Sequence, residues 1–350
     1  MAWYESRSAS VSDESKRQAI QHQAVLTKPI GSLGQLEDVA VQFAAMQSTN
    51  NPAINRPFIA VFAGDHGVMD ENISAFPQVV TAEMVRNFSR GGAAISVLAK
   101  QINAKLVVVN MGTVNALEPL SDVIDKRIDD GTKNISIRPA MSIAQCLKAL
   151  DVGKEIVEQA KKEGADVFIG GEMGIGNTAI STALACALLE QPVAGIVGAG
   201  TGLDNKGIEH KSKIIERALE LHKKDNTNAL NILKNLGGFE IVALVGAYIR
   251  AAQLGLPCIV DGFITSVAAL FATRLSDGVE QWFVYSHQSA ESGHKVILEA
   301  LNAKPLLNIG MRLGEGSAAA SIIGLLQNSL ALHNNMATFE QAGVSENPDC

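Results

Sequence analysis

Two carboxylates stand out because each sits among glycines where an apolar run gives way to a helical pattern. Glu172 lies in FIGGEMGIGNT, residues 168–178, and Glu315 in GMRLGEGSAAA, residues 310–320. A carboxylate with glycines beside it is open to close approach by a ligand ring. An apolar surrounding would lift its pKa toward that of an effective general base. Glu315, between Gly314 and Gly316, has this character most sharply. The plainer reading is a solvated acid favouring a helix N-terminus.

Around Glu172 the residue types are those of an anion cradle. Small side chains let the backbone N–H groups of Gly174, Ile175, Gly176 and Asn177 converge, and the helix opened by Asn177 and Thr178 points its positive end at them. Gly174-x-Gly176-x-x-Ala179 formally matches a dinucleotide fingerprint, but the ribose-binding acid is missing after the next apolar run, which ends in GAGTG. A triphosphate loop would need lysine where Asn177 stands. One phosphate fits best, and a ligand-free tight turn is the alternative. Gly200, Thr201 and Gly202 would add a second wall, with Lys211, rather than Lys206 or Lys213, as the cation.

Further strand ends carry polar residues. Asp261 in CIVDGF either bonds ribose hydroxyls or caps the helix beginning near Phe263. The second acid of a pyrophosphate loop is absent there, so pyrophosphate held through magnesium is not expected. Asp65 and His66 in AGDHGV have no third ligand at metal spacing, which leaves a structural or substrate-orienting role. In SHQSAESGH, Ser289 is placed to contact a ligand and His294 to orient the turn.

Elements that would position these residues follow an alternating pattern. Strands are expected at 58–63, 106–110, 167–169, 194–197, 258–260, 282–285 and 306–309. Helices are expected at 81–89, 143–163, 179–190, 206–222, 241–253, 263–274 and 318–333. Alternation of this kind predicts an α/β fold, a parallel sheet covered by helices on both faces, with ligands beyond the carboxyl ends of the strands. Helices at 14–26 and 36–47 precede any strand and read as a small helical subdomain or an oligomer contact. The tail 345–350 reads as disordered.

The chain has 350 residues, 47% hydrophobic, and a net charge of -7. It can bury a large core, and it lacks the basic cluster that nucleic-acid binding usually requires. Cys146, Cys186, Cys258 and Cys350 are scattered, with no zinc or redox spacing, which fits a reducing, cytoplasmic setting. The polar N-terminus has no signal-peptide character, and apolar stretches are interrupted by Glu190, Arg274 or Gln327, so no membrane span is expected.

Several blocks occur together in order along nearly the whole chain: KPIGSLGQLE (28–37), AGDHGV (63–68), SAFPQVVTAEMVRNFSRGGAAISVLA (74–99), GGEMGIGNT (170–178), GAGTG (198–202), SHQSAESGH (286–294) and RLGEGSAAA (312–320). The set resembles the nicotinate-nucleotide:dimethylbenzimidazole phosphoribosyltransferase family, CobT. The resemblance implies a homodimer, with a large Rossmann-like α/β domain at 56–317 and a small helical domain from 1–55 and 318–345. It implies transfer of phosphoribose from nicotinate mononucleotide to 5,6-dimethylbenzimidazole, with no metal and no cofactor. Acceptors such as adenine or a phenolic compound define the alternative.

In the same terms, Glu315 matches the family's catalytic acid, and Glu172 would orient the base, favour the ribosyl cation or serve as a backup base. Phe76, Met84, Met173 and Leu313 would line the acceptor pocket. Two departures from the pattern are expected to matter. Ser292 stands where proline is common and would loosen its turn; Glu83, in place of glutamine, would shift acceptor preference if it reaches the pocket.

Overall fold

A computed structural model describes residues 2–345. Most of the 345–350 tail, with Cys350, therefore lies outside the described residues. The core is a sheet of six parallel strands in the order β3-β2-β1-β4-β5-β6. They are β1 Pro57–Gly64, β2 Lys105–Gly112, β3 Val123–Asp125, β4 Val167–Met173, β5 Cys258–Val260 and β6 Phe283–Tyr285. Every residue of β1 is buried, as its unbroken apolar run PFIAVFAG requires of a central strand covered on both faces. Strand order reverses at β1 and β4, whose register pairs Phe62 with Glu172 and Ala63 with Met173. The crevice beyond the carboxyl ends is the expected ligand position in such sheets.

Helices cover the sheet closely. The helix Ile143–Lys162 starts at a reciprocal cap between Ser142 and Gln145 and runs against the helix Phe239–Gln253. Glycines permit that approach: a Cβ on Gly153 would stand 1.9 Å from the Ala243 carbonyl oxygen, and one on Gly246 would stand 2.2 Å from that of Leu150.

The N- and C-terminal segments meet beside the sheet. Asp13–Val25 packs on Gln35–Gln47, and Gln35–Gln47 packs on Ile323–Asn335. The Ser329 hydroxyl donates to the Leu36 carbonyl at 2.5 Å, and Gln23 Nε2 lies 2.8 Å from His333 Nδ1. Phe43, Leu326 and Leu330 join the same continuous apolar core as the strands.

Three expectations change. Residues 194–197 are no strand: Val193–Gly195 is a short helical turn after Pro192, and Ile196 packs under Gly293, whose Cβ would fall 2.4 Å from the Ile196 carbonyl oxygen. Residues 306–309 form only one bridge, Leu307 to His287, because Pro305 and the left-handed Gly310 bound the run too tightly for a strand. The helix expected over 318–333 is two, Ser317–Ser321 and Ile323–Asn335, broken at Ile322. The structure adds β3 and the helices Ala94–Gln101, Ala229–Leu236 and His294–Ala300. Among the described residues no helix is long and apolar enough to cross a membrane.

Candidate active site

Beyond the ends of β4 and β5 lies a cavity of about 400 Å³. Glu172 and Glu315 both face it, and glycines bring them together. A Cβ on Gly171 would stand 2.2 Å from the Glu315 carbonyl oxygen, so only glycine lets the 314–316 turn lie on β4. A Cβ on Gly314 would stand 2.4 Å from Glu172 Oε1. Gly314, Glu315 and Gly316 have φ of 87°, 65° and 86°, three successive left-handed residues. For the glutamate this conformation is sparsely populated, a strain that clusters at functional sites.

Glu315 is buried, with Oε2 accepting from the Ile95 N–H at 3.4 Å, at the start of the helix Ala94–Gln101. Burial raises its pKa, and the Ile95 amide partly offsets the rise. Glu172 is pushed up to about 8, first by burial and then by repulsion from Glu240 and Asp261. Asn177 Nδ2 donates to Glu172 Oε2. One acid thus stays protonated near neutrality while its neighbour is less perturbed.

Asp261 reaches a helix other than the one expected. Its Oδ1 accepts from Ala319 N–H at 2.8 Å and its Oδ2 from Gly316 N–H at 3.3 Å, so it ties down the turn that carries Glu315. The helix Phe263–Leu275 starts instead with Gly262 and Thr265, whose hydroxyl accepts from Gly262 N–H at 3.0 Å. Burial pushes Asp261 up to about 7 despite these amides.

The anion cradle is smaller than the sequence implies. Ile175 N–H donates to the Thr81 hydroxyl at 3.1 Å and Asn177 N–H to the Gly174 carbonyl at 3.0 Å, so two of the four amides are engaged. Gly176, with φ of 98°, starts the helix Asn177–Leu189 from behind the cavity wall, and Gly202 also lies off that wall. Gly174, Ile175, Asn177, Thr178, Gly200, Thr201 and Ser289 line it. Lys211 lies behind that wall: its Nζ donates to Thr178 Oγ1 at 2.9 Å and to the Gly198 carbonyl at 3.3 Å, and it does not itself line the cavity. Burial lowers it to about 8, partly offset by Glu291. Lys213 instead pairs with Glu209 on the surface.

Phe76, Met84, Met173 and Leu313 form an apolar wall. Phe76 and Leu313 are 49% and 59% exposed and stand at the rim. The Phe76 loop is held by Ser74, whose hydroxyl lies 3.0 Å from that of Thr201. Glu83 is exposed and off the cavity wall, so it does not reach the pocket. Ser292 anchors its turn rather than loosening it, donating to the Val197 carbonyl at 3.0 Å.

His66 is fully buried beneath the glycine loop, 2.9 Å from Glu240 Oε1, and a Cβ on Gly174 would stand 2.8 Å from its Nε2. Burial lowers its pKa, but Glu240 more than compensates and the net shift is upward. Asp65 accepts from Val114 N–H at 2.9 Å. Neither residue lines the cavity. His294 orients the 286–294 turn, accepting from Ser289 N–H at 2.8 Å and meeting Ser266 Oγ at 3.0 Å.

The chain matches a phosphoribosyltransferase family over residues 9–344. It is 51% identical over 348 residues to the nicotinate-nucleotide–dimethylbenzimidazole phosphoribosyltransferase of Pseudomonas aeruginosa, covering 99% of both chains. The enzyme of that name from Xanthomonas oryzae is 55% identical over 328 residues, 94% of each. The crystal structure of CobT from Thermus thermophilus superimposes with a TM-score of 0.91 at 38% identity, covering 95% of this chain and all of that one. The chain belongs to this phosphoribosyltransferase family. Its sheet is the family's Rossmann-like sheet.

Within this phosphoribosyltransferase, sequence reasoning overlooked His287, Glu291 and Arg312, which also line the cavity. Arg312 Nη1 donates to the Gly200 carbonyl at 3.3 Å. All three lie inside or beside the motifs already noticed, so the signal was their position rather than their type. Among the described residues, no three His, Cys, Asp or Glu side chains are grouped as metal ligands.

Proposed function

We propose that the protein transfers the 5-phosphoribosyl group of nicotinate mononucleotide to 5,6-dimethylbenzimidazole, giving α-ribazole 5'-phosphate and nicotinate. The observation that carries this reading is the buried Glu315 in an apolar-walled cavity whose wall residue Thr178 is backed by the buried Lys211. Lys211, Thr178 and the start of the helix Asn177–Leu189 are suited to a single 5'-phosphate. Phe76, Met84, Met173 and Leu313 suit a flat heterocycle, and methionines adapt to its shape.

In this scheme Glu315 accepts the benzimidazole N–H proton while the other ring nitrogen attacks the anomeric carbon from the α face. The bond to the pyridinium nitrogen breaks, its electron pair neutralises that ring, and the configuration inverts. Glu172, protonated near neutrality, orients the acceptor by hydrogen bonding rather than serving as the base. Asp261 fixes the Glu315 turn from below.

The division into a large domain at 56–317 and a small one from 1–55 and 318–345 belongs to the same reading, as do a homodimer and a cytoplasmic setting. Contacts of Asp13–Val25 and Gln35–Gln47 with Ile323–Asn335 support the division. Incubation with nicotinate mononucleotide and a panel of benzimidazoles, adenine and phenols, with products resolved by mass, tests the activity. Equal nicotinate release with and without dimethylbenzimidazole, and no ribazole product, would overturn it.

A further inference from the structure

The acceptor wall and the donor loops come from separate stretches of the chain, and side-chain hydrogen bonds join them. Phe76, Val80 and Met84 belong to the turn and first half of the helix Val79–Arg90. Gly174, Ile175, Asn177 and Thr178 follow β4, while Gly200 and Thr201 lie in the loop before the helix Asn205–His222. Ser74 Oγ meets Thr201 Oγ1 at 3.0 Å, Gln78 Nε2 donates to the His66 carbonyl at 3.1 Å, and the Thr81 hydroxyl accepts from Ile175 N–H at 3.1 Å. The first bond is exposed and the second half-buried. The third is closed to water at both ends.

Thr81 is a polar residue in an apolar place. Ala82, Val85 and Phe88, the other buried residues of its helix, carry no polar side-chain atom, and a buried hydroxyl is costly unless its partners are present. Valine has nearly the same shape and makes no such demand. The Thr81 oxygen accepts from Ile175, and the hydroxyl stands beside the Asp65 carboxyl, which burial raises and Thr81 draws back down.

The bond also takes an amide out of the anion cradle, where a phosphate would have used it. What it supplies is position. Val80 adjoins Thr81 and Met84 follows one helical turn later, so a single side chain separates the acceptor wall from the loop that holds the donor. Thr81 itself does not line the cavity.

We propose that Thr81 is a positioning residue for the transfer step: through Ile175 it holds the acceptor wall in register with the donor loop, so that the attacking ring nitrogen meets the anomeric carbon. The inference rests on the donor and acceptor assignments above and deepens them. Glu315 takes the proton, and Thr81 sets the distance across which the new bond forms.

The test compares Thr81→Val, which keeps the shape and loses the acceptor, with Thr81→Ser, which keeps the hydroxyl. Dissociation constants for nicotinate mononucleotide and for 5,6-dimethylbenzimidazole are measured one ligand at a time, and the single-turnover rate with both at saturation. In Thr81→Val each constant should stay within about threefold of wild type, because each half of the site keeps its own contacts. The rate should fall on the order of tenfold to 10²-fold, the scale of a misplacement of up to about 1 Å. Thr81→Ser should recover it to within about threefold of wild type.

A lower unfolding midpoint with an unchanged single-turnover rate would make Thr81 a core hydrogen bond and nothing more, and would overturn the proposal. A loss confined to the binding of either substrate, with the rate at saturation kept, would overturn it as well. Should Thr81→Val not fold, Thr81→Ala, with no branched side chain to crowd its neighbours, replaces it under the same expectations, and equal rates in Thr81→Ala and Thr81→Ser would count against the proposal in the same way. A wild-type protein that forms no ribazole product would instead sink the substrate assignment itself, and this inference with it.

Discussion

Glu315 and Glu172 face one cavity with different proton affinities, and that difference assigns their roles. Burial, with Glu240 and Asp261 nearby, holds Glu172 protonated near neutrality, so Glu315 is the proton acceptor and Glu172 a neutral hydrogen-bonding partner. Glu315→Gln should therefore lose on the order of 10²- to 10⁴-fold in nicotinate release, the usual scale of general-base catalysis. Glu172→Gln copies the shape of the neutral acid and should cost no more than about tenfold near neutrality; an equal loss in both would make Glu172 the base. Because burial raises Glu315, wild-type activity should fall with acid at a pH above the ordinary carboxylate range. Lys211→Ala should raise the KM of the nucleotide more than that of the heterocycle. In the wild type the nucleotide KM should itself rise as pH passes about 8, where this buried lysine loses its charge. A flat KM profile through that range would separate Lys211 from the phosphate.

At the scale of elements, the site depends on the 314–316 turn lying directly on β4. Gly171→Ala would push a methyl to 2.2 Å from the Glu315 carbonyl oxygen, and overpacking of this kind costs about 1–3 kcal/mol. Any relief must move Glu315, so activity should fall by about 10²-fold even where the variant folds. Gly324→Ala serves as the contrast: it lies in the helix Ile323–Asn335 with open space around it, and should gain about 0.5–1 kcal/mol with unchanged turnover. Denaturant melts and turnover on both proteins check the pair. Such approaches explain what the sequence could and could not say. β1 and β4 were legible because a buried parallel strand is an unbroken apolar run, and Glu315 because glycines flank it. Residues 194–197 have the same composition as a strand, but the segment begins as a short helical turn after Pro192 and Gly293 packs closely on Ile196. Gly171 reads as part of a phosphate loop, yet its task is to admit another segment far along the chain. Asp261 likewise reads as a cap for the helix beside it and holds a distant one.

For the whole molecule, the buried site acids set how stability depends on pH. Glu172, near 8, and Asp261, near 7, hold protons in the folded state at pH values where the unfolded chain has released them. Their contribution is fully present below the unfolded carboxylate range and is lost as pH rises through these folded values. His66 acts in the same direction, since its folded pKa is also raised. His287, His294 and His333 oppose them: burial lowers each, His294 to about 3, so the unfolded state takes up protons first and stability falls as pH drops below about 6.5. The two sets compete between about pH 4 and 6.5, and the raised groups act without that opposition from about 6.5 to 8. The wild-type protein should therefore lose stability across the upper interval, with a slope from each group of at most about 1.4 kcal/mol per pH unit. Glu172→Gln removes one such group, so the difference in unfolding free energy between wild type and variant should decline from pH 5 toward 8 and level off beyond it. Denaturant titrations of both proteins across that range measure the difference directly. A constant difference would mean that Glu172 ionises in the fold as readily as it does in water, and the division of labour between it and Glu315 would lose its basis.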